Sequence, residues 1–272
     1  MILDTLTVGD FQKKIYEYFH KYGRNLPWRK TRDPYKIVVS EIMLQQTQVS
    51  RVIKYYIGFI KSFPDIESLA QASPRTIMKE WQGLGYNRRA KALKKMAEQV
   101  IERFEGCIPS DEMLLRSLPG IGPYTANAIC AFAFNKPSVF IETNIRSVFI
   151  HHFFRERTTV KDTEIIPLIA QTLDTGQPKQ WYYALMDYGA FLKTSMTNPN
   201  RTSAHYSKQS PFHGSNRQIR GMVLKLLIDH EKLSENEIYA KIDTETGRTQ
   251  KILEQLVKES IIIKQGKYLS ME

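Results

Sequence analysis

Leu118-Pro119-Gly120-Ile121-Gly122-Pro123-Tyr124-Thr125-Ala126 decides how the rest of this chain is read. Two glycines flank Ile121, so the backbone can turn tightly and no side chain screens its outward N–H groups. The Ala-rich run that follows reads as a helix, and its N-terminus favours an anion held against those amides. A G-x-G alone is a weak signal. Here SDEMLLRSLPG precedes it, which reads as a helix over Asp111–Ser117 and not as the apolar β-run that a strand-based nucleotide loop requires. The spacing predicts a helix–hairpin–helix with a phosphate cradle at its turn.

Outward from that hairpin the pattern stays helical. Phe11, Ile15, Tyr18 and Phe19 fall at helical spacing within 10–20, and Ser40 reads as an N-cap for a helix running from Glu41 through Ile53. Further helices are predicted near 73–82, 88–104, 124–134, 145–154, 163–173 and 179–192, punctuated by Pro34, Pro64, Pro109, Pro137 and Pro178. Residues 219–230, 234–242 and 247–258 read as three more helices, with Ser234 as a cap. Ile261 to Leu269 then reads as two short strands about a Gln-Gly turn, the order of a winged helix. Arg248, at the start of the third of these helices, is of a type that reaches bases or phosphates, although such domains also serve as protein-docking modules. The expected fold class is mainly α with a small winged-helix-like C-terminal domain.

The 272 residues carry 39 Lys plus Arg against 28 Asp plus Glu, a formal charge of +11. A hydrophobic fraction of 42% supplies a core and excludes a disordered chain. Two cysteines, Cys107 and Cys130, exclude a disulfide framework and any four-thiolate metal site within the chain. No apolar run approaches the ~20 residues that span a bilayer, and MILDTLTVGDFQKK has no signal-peptide core. The expectation is a soluble protein of a reducing compartment. Between 216 and 272 ten basic residues face nine acidic ones, so the charge sits in the body, and no acid occurs between Asp187 and Asp229. That acid-free stretch is either a solvated hinge or a phosphate-contacting strap between domains.

Two acids end apolar runs. Glu41 follows Ile37-Val38-Val39-Ser40, and Glu142 follows Val139-Phe140-Ile141 just before a helix that Thr143 can cap. Each reads either as a carboxylate stabilising a helix N-terminus or as half of a pair in which one acid donates a proton and the other faces a cationic centre. Gln45, Gln46 and Gln48 carry amides that both donate and accept at base edges.

Four segments taken together resemble the helix–hairpin–helix (HhH-GPD) DNA glycosylases, and within them the MutY-like adenine glycosylase branch. They are LPWRKTRDPYKIVVSEIMLQQTQV (26–49), WQGLGYNRRAKAL (81–93), LPGIGPYTANAI (118–129) and FIETNIRSV (140–148), and the resemblance covers about two thirds of the chain, residues 10–192. It implies a two-lobed helical body over 1–192, with a six-helix lobe and a lobe shared by the N-terminal and 135–192 helices. A basic linker (193–215) and the winged-helix-like domain (216–272) follow. Glu41 matches the acid that protonates N7 of a flipped adenine, and Glu142 stands where the family has an aspartate stabilising the oxocarbenium-like sugar. Tyr124 and Asn144 match residues that hold that acid and the catalytic water or intermediate. Gln45, Gln46 and Thr47 match the segment that enters the duplex beside the opposite base, and Tyr86 the aromatic wedge. Gly120 and Gly122 match the phosphate anchor, often completed by a monovalent cation; Trp28 and Arg29 lie near the nucleotide pocket, and Arg88 and Thr125 join the DNA-contacting set. Where glycosylases that also cut the strand have a lysine, Tyr124 supplies no amine, so the resemblance implies hydrolysis without lyase activity. The implied partner is duplex DNA with a damaged, modified or mismatched base, bound by a monomer at the nucleoid in the cytoplasm.

Three departures bear on this. Most of the MutY branch binds an iron–sulfur cluster through four cysteines after a D-x-G-A segment; here Asp187-Tyr188-Gly189-Ala190 is followed by Lys193, Asn200, Ser203 and Gln209 at those places, so no cluster and no other metal is expected. The family's 8-oxoguanine-checking C-terminal domain is replaced by the winged-helix candidate. Glu142 is one methylene longer than the aspartate, which can retune the pocket toward another purine such as hypoxanthine or N6-methyladenine, or weaken catalysis. A glycosylase for mismatched thymine or uracil, or a non-catalytic DNA-binding regulator on the same scaffold, are the other readings.

Overall fold

A computed structural model describes residues 2–209 and 211–271. Among them the chain forms helices α1 (Thr5–Tyr22), α2 (Pro34–Leu44), α3 (Val49–Ser62), α4 (Ile66–Gln71), α5 (Pro74–Trp81), α6 (Arg88–Phe104) and α7 (Glu112–Arg116). They continue as α8 (Pro123–Phe134), α9 (Thr143–Phe153), α10 (Asp162–Thr172), α11 (Pro178–Ser195) and α12 (Asn216–Asp229). Strand β1 (Lys232–Ser234), helices α13 (Glu235–Lys241) and α14 (Thr246–Lys258), and strands β2 (Ile263–Gln265) and β3 (Tyr268–Ser270) complete the chain. The mainly helical expectation holds, and most helix starts follow their caps. Asp4 caps α1, Ser73 precedes Pro74 at the start of α5, and Asp111 accepts from Leu114 N at the start of α7.

One helix departs from the sequence reading in a way that matters. Instead of a single helix starting at Ser40, α2 begins at Pro34, with the Asp33 carboxylate accepting from Tyr35 N at 3.0 Å. It ends at Leu44, because Gln46 takes the left-handed conformation (φ 55°), and α3 restarts at Val49. Glu41 therefore lies in the last turn of α2.

Contacts group the chain into two units, one of Met1–Ile37, Ser110–Ser117 and Ile121–Lys208, the other of Val38–Pro109, Leu118–Gly120 and Gln209–Glu272. The first unit is built on α1, α8, α9, α10 and α11. Phe140 stacks on Tyr182 at 3.9 Å between ring centres, and Phe11 meets Trp181 edge-on at 5.9 Å. Helices α9 and α11 approach closely at Gly189, where an added Cβ would lie 2.2 Å from the Asn144 carbonyl oxygen. One turn of α11 away from the core aromatics, Asp187 is buried and takes the Arg24 Nε and both Arg29 terminal nitrogens, at 2.6 to 2.8 Å. Burial by itself would raise this carboxyl, yet the Arg29 and Arg24 guanidiniums hold it below the ordinary carboxylate value.

Removing that charge leaves Arg29, only 9% exposed at its side chain, without its counter-ion. Asp187→Asn is expected to cost about 3–5 kcal/mol in urea denaturation at neutral pH. A depressed carboxyl contributes stability above its unfolded-state value of about 4 and loses it as pH falls through its own lower value. The gap between wild type and variant should therefore shrink in acid. Equal midpoints at pH 7 would refute the role given to the pair.

The second unit packs α3 on α5 and α4 and α5 on α6, with Phe59 edge-on to Trp81 at 5.8 Å. Its C-terminal elements form a three-stranded antiparallel sheet of order β1-β3-β2, with Leu233 and Lys264 both opposite Leu269. The order helix–strand–helix–helix–strand–strand is that of a winged helix. The three helices and the hairpin match the sequence reading; β1 was missed, because its three residues run straight into the Ser234 cap of α13. Helix α12 packs against α14 and α5, and Arg75 of α5 donates to the Ile228 carbonyl at 2.7 Å.

Candidate functional site

In the first unit the hairpin leads into α8 through Gly122, which is its N-cap in extended conformation, with open space where a side chain would stand. Tyr124 in the first turn of α8 meets the Phe140 ring edge-on at 5.6 Å, two residues before Glu142, and Thr125 is buried beside it in sequence. Glu142 is itself the N-cap of α9, a position assigned to Thr143 on sequence. Its Oε1 accepts from the Asn144 and Ile145 amides at 2.7 and 2.9 Å, and its Oε2 from Asn144 Nδ2 at 3.1 Å. The longer side chain bends back to reach both orphan amides, so Glu142 and Asn144 are one hydrogen-bonded pair at a helix start. Lys193 stands four residues along α11 from Gly189. Burial lowers it below the ordinary lysine value, while the nearby Glu142 carboxylate opposes that drop and Arg24 adds to it.

Trp28 and Arg29 occupy a 3-10 turn (Pro27–Arg29). Trp28 is buried, and the Arg29 guanidinium is held by Asp187 and lies 4.4 Å over the Tyr183 ring. Of the places where cysteines would hold a cluster, Asn200 and Ser203 are buried, and their segment is tied to Val160 by two backbone hydrogen bonds of 2.9 Å. An ammonium, an amide and a hydroxyl there do not fit an iron–sulfur cluster, which takes thiolates.

In the second unit Glu41 is 5% exposed, between Ser40 and Ile42, which are buried as well. Gly120 is left-handed (φ 81°), and an added Cβ would stand 2.9 Å from that of Ala92, so only glycine fits this turn. Its carbonyl accepts from Gln45 Nε2 at 3.3 Å. Gln46 (φ 55°) and Tyr86 (φ 50°) are both left-handed without being glycine, the kind of strain that persists where surroundings over-determine the backbone.

The residue joining these loops is Arg89, which sequence reading passed over in favour of Arg88. Its NH1 donates to the Ile42, Met43 and Gln45 carbonyls at 2.6 to 2.9 Å, and its NH2 to Thr47 Oγ1 and the Gly85 carbonyl at 3.1 Å. It satisfies the open carbonyls at the end of α2 and binds the Gln45–Thr47 loop to the Gly85–Tyr86 loop. Burial pushes this guanidinium down to about 10. Arg88 points the other way, 74% exposed, and pairs with Glu259, which also holds Arg220. Arg248 donates to Asn216 Oδ1 at 2.7 Å and to the Gly214 carbonyl at 2.6 Å. The Tyr86 ring has the guanidiniums of Arg89 and Arg217 at 5.3 and 5.8 Å from its centre; its hydroxyl accepts from Arg217 at 3.2 Å and from Gln209. From sequence Gln209 stood only at a place where the cluster would have a cysteine and Arg217 only in the acid-free basic stretch, and neither was tied to Tyr86. Among the described residues no helix is long and apolar enough to cross a membrane, and no group of three or more His, Cys, Asp or Glu side chains could hold a metal ion.

Comparison with known proteins agrees with the resemblance. Residues 39–167 match the family model for HhH-GPD superfamily base excision DNA repair proteins. An adenine DNA glycosylase of Buchnera aphidicola is 38% identical over 192 residues, 69% of this chain and 54% of that protein. One from Mycolicibacterium smegmatis is 31% identical over 234 residues, 79% of this chain and 80% of that protein. Among solved structures, a thermostable thymine-DNA glycosylase superposes with a TM-score of 0.62 at 26% identity, covering 70% of this chain and 89% of that one. The chain belongs to the HhH-GPD superfamily, on its adenine-glycosylase, MutY-like branch. It spans about half the length of the Buchnera relative.

Proposed function

We propose that this chain is a base-excision DNA glycosylase that swings an adenine out of duplex DNA and hydrolyses its N-glycosidic bond. The observation that carries the reading is Glu41, a carboxyl only 5% exposed in the last turn of a helix, away from the N-terminal end where a carboxylate serves as a cap. Adenine leaves poorly as an anion. Proton donation from Glu41 to N7 removes that obstacle, and Glu142, held by the α9 amides and Asn144, offsets the positive charge that grows on the sugar. Flipping costs a few kcal/mol, which Gln46 and Tyr86 offset by filling the vacated stack, with Gln45 and Thr47 beside them. The Gly120–Gly122 turn and Thr125 anchor backbone phosphate, with room for a monovalent cation and no part for an iron–sulfur cluster. Arg88 and Arg248 add phosphate contacts where DNA displaces their present partners; Trp28 and Arg29 support the pocket wall from within. Tyr124 offers no amine for a Schiff base, so strand scission is not part of the reaction. The enzyme acts as a monomer at the nucleoid.

The test is a panel of duplexes carrying A:8-oxoguanine, A:G, hypoxanthine, N6-methyladenine, T:G and U:G, assayed with and without hot alkali. Breaks at adenine that appear only after alkali are expected. Nicking without alkali would overturn the monofunctional assignment, and an intact panel would overturn the glycosylase reading. The T:G arm matters because a thymine-DNA glycosylase is a structural relative, and the hypoxanthine and N6-methyladenine arms because Glu142 reaches further than an aspartate.

A further inference from the structure

Lys193, in the last turn of α11, is a half-buried cation that makes no hydrogen bond or ion pair among the described residues. It stands four residues after Gly189, hence on the same face of the helix, and a helical side chain points back over the turn before it. Lys193 is thereby directed toward the place where Gly189 meets the Asn144 backbone at the start of α9. Glu142 and Arg24 are charges that it feels there, and both are already committed. Glu142 accepts through Oε1 from the Asn144 and Ile145 amides and through Oε2 from Asn144 Nδ2, and Arg24 holds Asp187. The ammonium lies in the field of the carboxylate without being bound to it. A charge drawn out of water and left without hydrogen bonds costs free energy that an incoming anion recovers.

At this place the resemblance calls for a cysteine that would hold an iron–sulfur cluster, and an ammonium cannot ligate one. What an ammonium does hold is phosphate, as a compact charge ringed with N–H donors. No acid follows in the sequence until Asp229, so the segment itself offers no carboxylate. On the glycosylase reading, on which this inference rests, Glu142 faces the sugar of the flipped nucleotide. The phosphates on either side of that sugar are then the anions that arrive beside Lys193. We infer that Lys193 grips one of the two phosphates flanking the excised nucleotide, so that a position given to a metal cluster in most of the branch holds the substrate strand in this chain. The contact fixes the sugar against Glu142 without touching a base, and it is indifferent to which base stands opposite.

The test reads binding and needs no excision. Full-length protein is titrated by fluorescence anisotropy into a duplex with a tetrahydrofuran abasic analogue in place of adenine, over a range of salt concentrations and with guanine or cytosine opposite. Lys193→Met keeps the stem and removes the charge. It should weaken binding about tenfold at ~0.1 M salt, equally for both opposing bases, and lower the slope of log K against log salt by about one, the signature of one lost phosphate contact. A methylphosphonate, which neutralises a single phosphate, is then placed on the 5′ or the 3′ side of the analogue. On one side it should cost wild type about as much as the methionine substitution does, and cost the variant little more. Lys193→Arg, which keeps a charge that phosphate accepts, should restore both affinity and slope. A side chain that served only folding would give losses that add. Wild type indifferent to methylphosphonate on both sides, additive losses on both sides, or a methionine variant with the wild-type salt slope would each overturn the assignment. So would a borohydride-trapped crosslink between Lys193 and a true abasic duplex, since an amine bonded to C1′ is not holding phosphate. Failure of wild type to bind the duplex at all would overturn the glycosylase reading as well, whereas binding without the coupling overturns this assignment alone.

Discussion

Glu41→Gln is expected to slow adenine excision by about 10²–10⁴-fold under single-turnover conditions, the range carried by one general acid, and to leave duplex affinity essentially unchanged. The amide keeps the shape and hydrogen-bonding capacity of the side chain but has no acidic proton to give to N7. Stability supplies an independent check. If Glu41 were there to hold α2 together, its replacement would lower the melting temperature. Instead it is 5% exposed and three residues from the C-terminal end of the helix, where a carboxylate serves as no N-terminal cap and desolvation works against its charge. The neutral amide should leave the melting temperature equal or raise it, as expected where a site residue is kept for chemistry at some expense in stability. Normal turnover by the variant would remove Glu41 from the mechanism. A lower melting temperature with normal turnover would return it to a structural role.

That contrast turns on one helix boundary. Sequence alone offered Ser40 as a cap, which made Glu41 a first-turn acid with a sufficient structural reason to exist. The stronger signal was Asp33-Pro34, an N-cap followed by proline at N1, and it moves Glu41 from the favourable end of a helix to the unfavourable one. Arg89 was legible too: it shares the face of α6 with Leu93, Met96, Ala97 and Val100, all buried, so its helical phase already separates it from the exposed Arg88. Other features left no local mark. Gln46 and Tyr86 are left-handed because the Arg89 hydrogen bonds fix their loops, and neither is a residue type that announces such a conformation. The Tyr86–Arg217 contact joins residues 131 positions apart, and nothing in either segment specifies the other.

Glu142→Gln separates the capping role that the structure shows for this side chain from the charge-stabilising role proposed for it. As a cap, Glu142 needs an acceptor oxygen for the Asn144 and Ile145 amides, and the glutamine carbonyl supplies one. The loss in thermal or urea stability should then stay below the roughly 0.5–2 kcal/mol that deleting a cap costs, with Glu142→Ala showing the fuller effect. As the anion facing an oxocarbenium-like sugar, Glu142 needs its charge, and the amide has none. Excision by Glu142→Gln should fall by about 10²-fold or more, as when a preorganised electrostatic partner is removed, well beyond anything a small stability change would produce. Loss of the carboxylate also removes the charge that opposes the fall of Lys193, so the Lys193 ammonium should lose its proton at lower pH in the variant. The two outcomes are clearly separable. A variant that is stable and slow assigns the carboxylate to the reaction, whereas one that is stable and fast leaves Glu142 as the cap of α9 and passes the stabilisation of the sugar to another group.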